Sequence, residues 1–137
     1  MGADLSKDHP ADLVQYRYPV GTVYARVSED FVYNLVKALD LTFDMYKDAH
    51  PTMPWWAIKD AGVPPADAPF HPGAIKYFKE KGIWTADYQK WNDQQVANMK
   101  KLKAAWEKAV VEGQAKKMKS KKFRKYWLKI RAQVLGL

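Results

Sequence analysis

The sequence predicts a mainly helical domain of four or five helices with one or two short β-strands. Three observations predict it. Apolar residues recur every three to four positions across most of residues 28–135, the period of a helix with one buried face. A two-residue alternation is confined to residues 14–27, which limits strands to that stretch. Prolines and isolated glycines punctuate the chain between the periodic segments, where helices must stop and start.

Residues 1–13 read as a polar lead without periodicity. Val14, Tyr16 and Tyr18 then alternate with Gln15 and Arg17, and a second extended segment spans Thr22 to Val27 beyond Pro19 and Gly21. Proline lacks a ladder donor, so the break places these strands at an edge. Ser28 is placed to cap the first helix, with Glu29 and Asp30 at the positive end of its dipole. The inward stripe is Phe31, Leu35, Ala38, Leu39, Thr42, Met45 and Tyr46, and the helix runs to His50, before Pro51. Asp40, Asp44 and Asp48 then line an exposed face.

Residues 51–72 form a proline-rich connection with a helical turn at Trp55–Ile58. Its large apolar side chains favour a structured segment over a mobile one. Pro72 to Gly82 reads as a short helix, with proline at its first turn and glycine at the left-handed stop. Thr85 caps a long helix with a stripe through Tyr88, Trp91, Gln95, Met99, Leu102 and Trp106, which Gly113 weakens or ends. The last helix, residues 115–135, sets Met118, Phe123, Trp127, Ile130 and Val134 on one side and cations on most of the rest. The organisation is therefore a lead (1–13), a module (14–113) and a basic amphipathic helix (114–137).

Charge is uneven along the chain. Residues 1–99 hold 10 Lys/Arg against 13 Asp/Glu, a net of −3. Residues 100–137 hold 13 against 2, a net of +11. A basic end of this kind needs an acidic partner, a phosphate surface, or water.

Several classes of chemistry have no support. There is no cysteine, so disulfides, thiolate metal sites and cysteine nucleophiles are excluded. The three histidines have no metal-ligand spacing, the glycines form no phosphate loop, and no serine sits in a nucleophile elbow. The expectation is a non-catalytic protein with no cofactor and no metal. No apolar run reaches the ~18 residues of a membrane span. The polar start carries no secretory signal, which places the chain in the cytoplasm as written.

Residues 70–84, Phe-His-Pro-Gly-Ala-Ile-Lys-Tyr-Phe-Lys-Glu-Lys-Gly-Ile-Trp, resemble the His-Pro-Gly-Ala…Tyr…Lys-Glu…Gly segment near the end of TAXI proteins. These are solute receptors of tripartite (TRAP) transporters. Tyr24 to Leu39 is similar to the strand and helix that precede that segment, and the likeness covers residues 14–110. The resemblance implies a two-lobed α/β binding protein for organic acids, periplasmic, working with TRAP membrane subunits. The earlier part of such a receptor, which supplies much of its ligand cleft, is not in this chain. The basic helix lies beyond the family pattern.

The candidate ligand or partner residues are His71, Trp55, Trp56 and Tyr18. His71 has a plainer role open to it, fixing the loop before a helix. Adjacent tryptophans on a turn cannot both point inward, so one is free to meet a partner. The basic helix offers Lys117, Lys121, Lys122, Arg124, Lys125 and Arg131. Another protein chain, in a homo- or hetero-oligomer, is the favoured partner. Nucleic acid and anionic membrane are the lesser alternatives, there being no helix-turn-helix signature or known RNA-binding module. Two functions stand: a TAXI-type receptor portion, and a small accessory subunit of a larger enzyme or protein complex, docking through apolar faces and the basic helix.

Overall fold

The computed structural model describes residues 21–61, 64–66 and 68–137. Six α-helices follow one another among them: α1 (Glu29–Leu41), α2 (Phe43–Tyr46), α3 (Ile58–Ala61), α4 (Pro72–Glu80), α5 (Ala86–Ala115) and α6 (Ser120–Leu135). A 3₁₀ turn, Met53–Trp56, precedes α3. The fold is mainly α, as predicted.

The strand expected at Thr22–Val27 does not form. The segment is irregular, and the Val27 amide closes a turn on the Tyr24 carbonyl at 3.0 Å. Among the described residues no second strand pairs its backbone groups, and alternation alone does not make a strand. The strand expected at residues 14–18 lies outside the described residues.

α1 begins as its sequence dictates. The Ser28 hydroxyl accepts from the Phe31 amide at 3.3 Å. The helix stops at Leu41, well short of His50. Thr42 donates its hydroxyl back to the Ala38 carbonyl at 2.8 Å and leaves helical dihedrals, which separates α1 from α2.

α4 packs across α1, and the core lies between them. Val32, Ala74, Ile75, Tyr77, Phe78 and Trp84 are its buried members. Phe70, Tyr33, Val36 and Tyr88 close around them. Each large side chain buried here contributes about 1.5–3 kcal/mol. Gly82, at φ 70°, ends α4, with its own amide on the Lys79 carbonyl and the Ile83 amide on the Phe78 carbonyl, both at 3.0 Å.

α5 is about 45 Å long at the usual rise per residue and links two packed regions. At its start, buried Asn92 accepts from the Phe70 amide at 2.7 Å and Trp91 meets the Phe70 ring edge-on. Toward its end α6 folds back on it. Trp106 meets Phe123 and Trp127 edge-on, at 5.5 and 4.8 Å between ring centres. Gly113, expected to weaken or end α5, is buried in its last turn, two residues before the helix stops at Ala115. A Cβ there would stand 2.6 Å from the Phe123 ring, so glycine makes room for the crossing. The turn after α5 runs through Lys117 at φ 48°.

Candidate functional site

His71 is half-buried at the N-cap of α4, where Nδ1 accepts from the Gly73 amide at 3.2 Å. The next three residues are equally committed. Pro72 opens the helix, where a missing N–H costs nothing. A Cβ on Gly73 would overlap the Glu29 carbonyl oxygen and stand 2.8 Å from the Tyr33 amide nitrogen. Ala74 is buried. His-Pro-Gly-Ala is thus the joint at which α4 crosses α1.

Trp55 is 68% exposed, whereas Trp56 is half-buried and meets Tyr46 edge-on at 6.4 Å. Trp55, Phe43, Pro54 and Ala57 line an open cleft of about 340 Å³ that also receives Lys47, Asp48, Lys59 and Asp60. A second open cleft, about 530 Å³, runs between α4 and α5 past Phe70, Ile75, Lys76, Lys79, Gln89 and Asp93. Of His71, Trp55 and Trp56, only Trp55 lines either of these two clefts. Tyr18 lies outside the described residues.

The carboxylates expected in one exposed row are divided. Asp40 turns toward α4, accepting from the Tyr77 hydroxyl at 2.7 Å and pairing with Lys81 at 3.1 Å. Burial works to raise its pKa, but those two bonds and the Lys81 charge outweigh it and leave it below the ordinary carboxylate value. Burial and the same carboxylate push the Tyr77 phenol up to about 12. A phenol held so firmly protonated is no base at neutral pH, so the network serves the fold. Sequence reasoning missed it because Asp40 and Tyr77 lie 37 positions apart. Beside it Tyr33 donates to Glu80, and Lys37 approaches Glu80 at 3.9 Å. Asp44 pairs with Lys47 at 2.7 Å on the surface.

α1 carries two apolar faces. Val32, Tyr33 and Val36 meet α4. Phe31, Leu35 and Ala38, which the periodicity expected inside, are exposed, Phe31 by 57%. The expectation failed because two stripes coexist on this helix, and α4 packs on the one through Val32, Tyr33 and Val36.

Residues 18–82 match the NMT1-like family. This is a periplasmic-binding-like family. The match takes in α1 through α4 and stops before α5, and it points to a solute-binding-like module. No curated protein and no solved structure matches the chain.

The basic helix stands apart from that matched region. Lys121, Lys122, Arg124, Lys125 and Arg131 are exposed on α6, and Lys117 is exposed in the turn before it. Among the described residues none of these six is ion-paired; Lys37, Lys47, Lys76, Lys81 and Lys116 are, while Lys59, Lys79, Lys90 and Lys100 are not. At the hairpin's closed end, Tyr126 and Lys116 both donate to Glu112, at 2.7 and 3.1 Å. Among the described residues no cluster of His, Asp or Glu is arranged to hold a metal ion, and no helix is long and apolar enough to cross a membrane.

Proposed function

We propose that this chain is a non-catalytic part of a TAXI-type solute receptor, serving organic-acid uptake in the periplasm with TRAP membrane subunits. The observation that carries the reading is the doubly apolar α1 inside the NMT1-like match. A helix apolar on two faces belongs between two layers. α4 is one layer. The β-sheet of a receptor lobe is the other, meeting Phe31, Leu35 and Ala38. The two clefts described above are open, which fits a solute held between this module and further polypeptide.

The test is the mass of the native chain in solution. An uncovered Phe31–Leu35 face drives self-association, so the expected species is a multiple of 15.8 kDa. Phe31→Lys with Leu35→Lys returns it to one chain per particle. A wild-type monomer that grips a small organic acid in a pocket of its own overturns the reading.

A second reading, a small accessory subunit of a larger complex, is favoured by one observation: the row of exposed α6 cations that have no ionic partner among the described residues.

A further inference from the structure

We infer that the outer face of α6 is a docking strip for an acidic protein surface, with Leu128 as its apolar anchor. The inference deepens the accessory-subunit reading and is independent of the solute-receptor one, since α6 lies beyond the family match.

Leu128 is 48% exposed and falls about 140° round the helix from Phe123, which meets Trp106 of α5. On a helix, positions three and four apart are surface neighbours. Arg124, Lys125 and Arg131 therefore stand around Leu128, and Lys121 lies one turn further back. All four are exposed, and among the described residues none has an ionic partner. α6 carries no acid. Its first turn holds Lys121 and Lys122 at the positive end of the dipole, which is unfavourable for an isolated helix. Among the described residues no carboxylate compensates these charges, and carboxylates on a partner complete them.

The kind of anion follows from what else is free. Bases stack on open aromatic rings, but Phe123 and Trp127 are held edge-on by Trp106, and the Tyr126 hydroxyl by Glu112. An anionic bilayer takes the apolar face of a helix, and that face of α6 is packed on α5. What remains outward is one leucine amid cations. That suits a protein groove, where an apolar pocket excludes water and a carboxylate rim surrounds it.

The full chain is titrated, by Trp fluorescence, with four probes: a Glu/Leu amphipathic helical peptide, poly-glutamate of equal charge, a short DNA duplex, and phosphatidylglycerol vesicles. The amphipathic peptide is expected to bind about tenfold or more tighter than poly-glutamate. Leu128→Ser is expected to erase that difference while binding of poly-glutamate stays the same. Arg124→Gln with Arg131→Gln is expected to weaken both, and to flatten their dependence on salt. Both positions are on the surface, and an unchanged circular dichroism spectrum certifies the fold. Equal binding of the two peptides, or an unaffected Leu128→Ser, overturns the anchor alone. Binding of neither peptide overturns the accessory-subunit reading with it. Tighter binding to duplex or vesicle overturns the choice of an acidic protein.

Discussion

At the scale of single residues, the structure gives conformational reasons for side chains that look chemical in the sequence. His71 spends Nδ1 on capping α4, and Gly73 exists so that two helix backbones can touch. Gly73→Ala is therefore expected to cost about 2–3 kcal/mol or more, since a Cβ meets backbone that cannot rotate aside; a urea melt reads it as a lower midpoint with an unchanged slope. Asp40 gives a pH-dependent prediction. Its pKa is lower in the fold than in the unfolded chain, so the unfolded state binds the proton more readily. The stabilisation is complete above the unfolded value, near 3.9, and fades as pH falls through the folded one. Asp40→Asn is expected to flatten the melting temperature against pH across that acid window and to lower it at neutral pH, where the Tyr77 and Lys81 bonds to the carboxylate are lost. An acid limb identical to wild type would show that Asp40 is not the group involved.

At the scale of elements, two helices turn out differently from their periodicity. α1 has one apolar face in the core and one in water, and periodicity reports both without ranking them. α5 passes through Gly113 because the Phe123 ring occupies the space of the missing Cβ. Gly113→Ala sets these effects against each other. Alanine gains about 1 kcal/mol of helix propensity, while forcing the ring aside costs about 1–3 kcal/mol. Phe123 is hemmed in by Trp106 and Tyr126, so the steric cost is expected to win. The expected result is faster hydrogen exchange throughout α6, with α1 and α4 unaltered. A stabilised hairpin would mean that Phe123 finds another rotamer.

At the scale of the whole molecule, apolar packing is concentrated in two places joined by α5. The main core ends with Trp84 and Tyr88, and contains no residue of α6. The aromatic contacts of Trp106, Phe123 and Trp127 form the other centre. Unfolding is accordingly expected in two steps, with the hairpin opening first because α6 repels itself and shares few buried contacts. Raising salt to about 0.3 M screens that repulsion and is expected to bring the two steps closer together. A single transition reported identically by the aromatic signal and by helix content, at low and high salt, would contradict this.

The sequence by itself determined where α1, α4 and α5 begin and that α5 is long. Ser28, Thr85 and Pro72 act on their own helix ends through contacts within a few positions, and Gly82 meets a left-handed requirement that any context would impose. It also determined the basic end, since charge is counted and not folded. Only the tertiary structure decided which side of α1 is buried, that Asp40 belongs to Tyr77 and Lys81, that Gly113 faces a ring, and that residues 22–27 form no strand. Each of these depends on a partner distant in the chain. Local periodicity records that a face is apolar; the partner that meets it decides whether it is buried.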